Sequence, residues 1–370
     1  MGIRIEPYTS EEQAAAARAF NQRLRARNQT EYLLSERPPI PEPADSAIHN
    51  HFYLVREDDA VRGGFLLAAF PAEFGDGQTT TALNAREPLS EALIDPQYAL
   101  LGLRILKFME QQGPHLFALG MGSESRPFPR LLKSARWSLR QVPFLFRVVR
   151  SRRFLLQLRT LRTTPARRML ANAAAFTGAG KAGIALLQCR AAVAALSLSG
   201  LSLEPVRAWG DWVDELWEQC RRDCSFAVSR DLRNVRELYP LDDRNRGYAV
   251  RHHGRPVGWI SARLSHLREH KYFGDLQVAT LMDGMALAGF ERGSVALASR
   301  ALTREGADLL VTNQSHERWV AAFRGAGYLG GPSNYILALS KRLAADIATQ
   351  PGGFARMHFT RGDSDGRGNL

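Results

Sequence analysis

Asp308-Leu-Leu-Val-Thr-Asn-Gln-Ser-His-Glu-Arg-Trp-Val-Ala-Ala-Phe-Arg-Gly-Ala-Gly-Tyr-Leu-Gly-Gly-Pro-Ser-Asn-Tyr-Ile-Leu-Ala-Leu-Ser340 is the stretch whose reading decides the fold. Leu309 to Thr312 is a short apolar run of buried-strand type, and Asn313 to Ser315 offers capping side chains. Trp319, Val320, Phe323 and Ala326 then recur at helical spacing, with Gly327 where that helix would end. Tyr335, Leu337 and Leu339 alternate as a strand does.

The same order occurs once before. Leu116 to Gly122, a helical run through Arg130, Leu131 and Leu132, and Pro143 to Val149 precede Leu309 to Ser315, the Trp319 helix and Asn334 to Ser340 at a near-constant offset. The period is that of a whole domain rather than a solenoid unit. A chain of 370 residues is long enough for two domains, each with its own core.

The net charge of +12 is unevenly spread. From Arg126 to Leu203 basic residues recur with no Asp or Glu, whereas the rest of the chain is slightly acidic. Within this middle, Met169 to Leu187 is apolar over the length of a membrane span, but Asn172, Lys181 and the nearby arginines suit an interfacial or interdomain helix better. Met1 to Tyr8 lacks the basic-then-apolar pattern of a signal peptide, so a cytoplasmic protein, peripheral at most to the inner membrane face, is expected. Cys189, Cys220 and Cys224 cannot form a disulfide framework and are expected as reduced, buried thiols; no metal site is expected.

Strand, helix, glycine-aromatic pair and strand resemble the closing half of the GNAT acyltransferase fold, in which an asparagine ends the fifth strand. The duplication then implies an α/β protein of two tandem GNAT-like domains, each a mixed central sheet flanked by helices. The domains expected are residues 1–150 and 201–343, separated by a basic, Ala/Leu-rich segment, 151–200, and followed by a tail, 344–370. Phe226 to Asp231, Tyr239-Pro240 and Tyr248 resemble a segment of tandem GNAT-like proteins found with bacterial surface-polysaccharide genes.

The resemblance implies acyl transfer from acetyl-CoA or another acyl-CoA to an amino-sugar or similar acceptor, small or lipid-linked. In this family a glycine-rich loop after the fourth strand holds the CoA pyrophosphate on backbone amides. In the first copy Pro96, Tyr98 and Gly102 match that loop, while Ala99, Leu100 and Arg104 replace its arginine and two glycines. In the second copy Gly289, Arg292 and Gly293 stand near it. Asp275 and Asp283, expected to bracket a fourth strand at Lys271 to Leu281, are candidate bases, and His316 and Asn313 are polar groups toward the acceptor. The second copy is therefore the expected active one. By alignment Phe323 and Leu132 occupy the place of the family's proton-donating tyrosine.

Two other readings are kept. Fem-type aminoacyl transferases share the duplicated fold and take an amino acid from tRNA, whose phosphates residues 126–203 could engage, as they could an anionic membrane surface. A GNAT pair that has lost its chemistry would serve as a binding protein.

Overall fold

The computed structural model describes residues 2–364 apart from Pro41, Ala44 and residues 192–197; of Leu161, Arg190 and Ala191 the backbone alone is described. Part of the expected basic segment, and the end of the expected tail at 365–370, lie outside the described residues.

In chain order the first elements are β1 (Ile3–Pro7), α1 (Glu11–Ala26), β2 (His49–Glu57), β3 (Ala60–Phe74), β4 (Thr79–Ser90), α2 (Leu101–Gln112), β5 (Leu116–Leu119), α3 (Pro127–Ser134) and β6 (Ser138–Gln141). There follow β7 (Phe144–Val148), α4 (Ser151–Gln157), α5 (Pro165–Thr177), α6 (Ala179–Ala191), β8 (Leu201–Val206), α7 (Trp212–Cys220), β9 (Phe226–Val228) and α8 (Leu232–Leu238). The last are β10 (Asn245–His252), β11 (Arg255–His266), β12 (Gln277–Ala286), α9 (Glu291–Arg304), β13 (Leu309–Asn313), α10 (Glu317–Gly325), β14 (Leu329–Gly331), β15 (Ile336–Leu339), α11 (Lys341–Thr349) and β16 (Met357–His358).

The chain forms two compact units, Met1–Gln141 with Asn334–Gln350, and Val142–Ser333 with Pro351–Leu370. The sheet of the first runs β1-β2-β3-β4-β5-β15-β6, and that of the second β14-β7-β13-β12-β11-β10-β8. Along these orders each is antiparallel except where β4 meets β5 and β12 meets β13, and off them β16 pairs β9 in parallel. The two orders correspond strand for strand, with one exchange. Leu337 and Leu339 of β15 pair with Leu119 and Phe117 of β5, while β7 pairs with β13, Val148 opposite Leu309. Asp308 to Ser340 is thus not one structural unit, and the partition at residue 150 differs from the units found because each copy's terminal strand completes the other copy's sheet.

Local chemistry explains most boundaries. Ser10 and Gln13 form a capping box that starts α1. Gly327, at φ +86°, follows the end of α10, and Tyr328 behind it is fully buried. Gly178, at φ +80°, breaks the apolar Met169 to Leu187 run into α5 and α6, which meet at 84°. The fourth strand of the second copy is Gln277–Ala286 rather than Lys271 to Leu281, because a turn through Gly274 at φ +61° occupies its expected start. The core of the first unit gathers Leu83, Ile105, Met109 and Leu116; that of the second gathers Ile260, Leu281, Val295, Leu310 and Phe323.

Candidate active site

In the second unit the parallel ladder between β12 and β13 ends at Thr280 and Val311, and β12 continues to Ala286 without pairing to β13 again. Beyond that point the gap is filled by the chain's own C-terminal segment. Phe359 donates its amide to Ser315 Oγ at 2.7 Å and accepts from the Ser315 amide at 3.1 Å; Thr360 bridges Gln314. His358 reaches the other side, its Nε2 3.0 Å from Asp283 Oδ1 on β12. Phe359 and Thr360 are fully buried.

Asp283 is the centre of a buried ionic cluster. Its Oδ2 accepts from Arg230 Nε at 2.6 Å and from the Tyr239 hydroxyl at 2.5 Å, and its Oδ1 from the Gly284 amide at 2.7 Å as well as facing His358. Arg230 Nη2 donates to both carboxylate oxygens of Asp363 at 2.8 Å, and its Nη1 to the Val228 carbonyl at 2.9 Å. Arg230, Asp283 and Asp363 have no exposed side-chain surface. Burial raises the Asp283 carboxyl, but Arg230 and His358 outweigh it and hold it well below the usual range, whereas burial keeps that of Asp363 raised despite Arg230. Burial, then the Asp283 charge, pushes the Tyr239 phenol well above its ordinary value. A carboxylate with four donors has no lone pair left for an incoming amine, so Asp283 is a structural anchor here rather than a free base.

His316 lies beside this cluster, its ring 6.2 Å from that of His358, and Asn313 meets the C-terminal segment separately. His316 caps α10, its Nδ1 accepting from the Arg318 amide at 3.2 Å while Nε2 faces the Asp223 carbonyl at 3.3 Å. Burial first, and then the nearby His358, push its pKa down to about 3, so it is neutral at physiological pH. Asn313 Oδ1 accepts from Arg361 Nε at 2.9 Å, again from the C-terminal segment. Asp275 is not brought there. It lies exposed before β12, its carboxylate accepting the Glu269 amide at 2.7 Å, eight residues of chain from Asp283 or roughly 26 Å of extended strand.

The second-copy loop is likewise satisfied internally. Glu291, buried in the first turn of α9, accepts the Gly289 amide at 2.8 Å and pairs with Arg318 at 2.8 Å. Arg292 Nε donates to the Gly325 carbonyl at 3.0 Å, and a Cβ on Gly293 would stand 2.6 Å from the Leu201 side chain. Gly293 therefore serves close packing of α9 against β8, and Arg292 ties α9 to α10. Phe323 is buried against Tyr328, whose hydroxyl is held by Ser299 at 2.8 Å.

The first unit is built differently. The β4–β5 ladder ends at Asn84 and Phe117. Asp95 caps the 3-10 turn Pro96–Tyr98 by accepting the Gln97 amide at 3.0 Å, and the Tyr98 hydroxyl donates to Glu57 at 2.8 Å. The α2 helix that follows has no side-chain cap and no acid in its first turn. Leu100 and Leu103 are exposed there, and Gly102 faces Leu131 of α3, 3.3 Å from where its Cβ would be. The sequence singled out Gly102 in this region and missed Arg230, Tyr239, His358 and Asp363 as members of one cluster; the acid and histidine after Gly352 were a visible signal that this tail has a structural task.

Among the described residues no group of three His, Cys, Asp or Glu side chains is placed to hold a metal ion. No family model and no curated protein matches the sequence. Solved structures do resemble the fold. A protein of unknown function from Enterococcus faecalis V583, described as a probable N-acyltransferase, aligns at 11% identity over 91% of this chain and 72% of its own, with a TM-score of 0.50. A GCN5-related N-acetyltransferase from Anabaena variabilis aligns at 14% identity and TM-score 0.47 over 78% of this chain, which spans 62% of that protein's length. A tandem GNAT protein from the clavulanic acid biosynthesis pathway aligns at 12% identity over 92% of this chain and 99% of its own, with a TM-score of 0.46. At such identities the likeness is one of fold. The fold is α/β, with two mixed sheets flanked by helices whose strand orders correspond.

Proposed function

We propose that the protein is an N-acyltransferase that uses an acyl-CoA, with the thioester held by the first unit and the second unit acting as a closed structural partner. The observation that carries this reading is the contrast between the two helix starts. The first turn of α2 has no acid and no side-chain cap, and so can receive a pyrophosphate on its amides and dipole. That of α9 already contains the buried Glu291 carboxylate. Segment 357–363 fills the second-unit gap in the same sense. Acyl transfer is supported by the fold and by the N-acyltransferases that share it.

The acceptor we propose is an amine on an amino sugar or similar compound of surface-polysaccharide biosynthesis, acted on at the cytoplasmic side. This finer part rests on the resemblance of Phe226 to Asp231, Tyr239-Pro240 and Tyr248. Calorimetric titration with acetyl-CoA tests the donor, and release of free thiol in the presence of amino sugars tests the acceptor. Micromolar acetyl-CoA binding is the expected result. Absence of binding, with salt-sensitive binding of tRNA, would favour aminoacyl transfer instead; absence of both would leave a non-catalytic binding protein.

A further inference from the structure

Within the second unit, α4, α5 and α6 build a feature that acyl transfer does not use. A cavity of about 440 Å³ is lined by Arg150, Arg152, Arg153 and Lys181, with Leu155 and Phe176 among its apolar walls. Arg150 and Arg153 share a single carboxylate, that of buried Asp308, at 3.3 and 3.0 Å. Arg152 lies over the Phe176 ring, 4.7 Å from its centroid, and no acid joins it or Lys181 among the described residues. Four cations against one carboxylate leave the cavity strongly positive.

Phe176 of this lining, and further side chains along the same two helices, are apolar and open to solvent. Met169, Leu170 and Phe176 on α5 are 74%, 71% and 64% exposed, and Leu186 and Leu187 on α6 are 53% and 52% exposed. On α5, Met169, Ala173 and Phe176 follow the i, i+4, i+7 spacing of one helical face, turned away from the buried Ala171 and Ala175. Arg167 and Arg168, in the first turn of α5, are exposed as well. A soluble helix normally buries its apolar stripe; this one buries its alanines and exposes its large side chains. Each helix has 13 residues, about 20 Å, and the two meet at 84°, so neither crosses a hydrocarbon layer about 30 Å thick. Apolar side chains outward and a cationic hollow alongside are the chemistry of a helix pair lying in a headgroup layer.

We infer that α5 and α6 dock the protein on an anionic lipid bilayer, with Met169, Leu170 and Phe176 entering the acyl boundary and the Arg152–Lys181 cavity taking a lipid phosphate. The charge complementarity selects this occupant: the acid-free segment has no means of repelling phosphate, and the exposed apolar side chains give a free nucleic acid nothing to contact. The inference stands independently of the acyl-transfer reading, since binding is measured without donor or acceptor.

The test is flotation of the full-length protein with vesicles of phosphatidylcholine alone or with 30% phosphatidylglycerol, the protein's circular dichroism being compared across variants. Expected is binding to the anionic vesicles, weakened about thirty-fold in the double variant R152Q/K181Q by loss of two surface charges. Weakening by Phe176→Ser at constant charge, with a blue-shifted emission from Phe176→Trp on vesicle addition, is expected from insertion of these side chains. Binding that ignores lipid charge, failure to bind either vesicle, or an unshifted emission at position 176 would overturn the inference. So would binding of tRNA that R152Q/K181Q weakens while vesicle binding is absent.

Discussion

The Glu291 carboxylate accepts the amide of Gly289, two residues before it, at 2.8 Å. The start of α9 thus holds an anion of the chain's own, further fixed by Arg318.

Giving α2 the same device should close it to ligand. Leu100 is 71% exposed, so Leu100→Asp is tolerated, and a carboxylate at a helix start is favoured by the helix dipole by about 0.3–1 kcal/mol. Acetyl-CoA affinity should fall about tenfold or more by competition and charge repulsion, with the melting temperature unchanged or raised. Unaltered affinity measured by calorimetry would move the donor site away from α2.

The two aspartates of the second copy should separate cleanly. Asp283→Asn leaves Arg230 buried against Asp363 alone and should cost about 3–5 kcal/mol in denaturant unfolding. Asp275→Asn alters an exposed loop and should stay within about 0.5 kcal/mol, with turnover retained. A large loss of turnover in folded Asp275→Asn would reinstate it as a base.

His316 makes stability depend on pH. Its folded pKa is pushed down to about 3, below the ordinary histidine value, because protonation would add a charge in a buried place and break the Nδ1 bond that caps α10. The unfolded state therefore binds more protons between about pH 6.5 and 3. The contribution is fully present above about pH 6.5 and is lost at up to roughly 1.4 kcal/mol per unit as pH falls toward 3. His316→Asn, which keeps a capping side chain, should flatten that slope in urea titrations; an unchanged slope would show that the proton is taken up elsewhere.

Removing residues 351–370 takes Met357, Phe359 and Asp363 out of the second unit. Arg230 then faces Asp283 with half its partners gone, and Phe226 loses its stacking on Phe359. Amide exchange should show β12, β13 and β9 deprotected. Continued protection would mean that the segment is a removable plug rather than part of the core.

The architecture was legible because duplication is a sequence-level signal: Leu309 to Asn313 and Leu116 to Leu119 form equivalent parallel strands. The exchange of β7 and β15 was not, since a strand's alternation tells which of its faces is buried and not which sheet receives it. The site was less legible for a related reason. Asp283 and Asp275 look alike in sequence, and their environments depend on Arg230 and on His358, 75 residues away along the chain. Asn313 ends β13 and His316 caps α10, but their partners Arg361 and Asp223 are set by tertiary structure.

The exchanged strands also set a timetable. Leu116 to Leu119 cannot find Leu337 to Leu339 until the chain has been made through the second copy, so β5, paired with β4 on one edge, must wait with its other edge open. A gene cut at the midpoint would encode two halves, each carrying a strand meant for the other. Separate expression of either should yield insoluble protein, and joint expression should rescue both, as though the two copies were subunits that never parted.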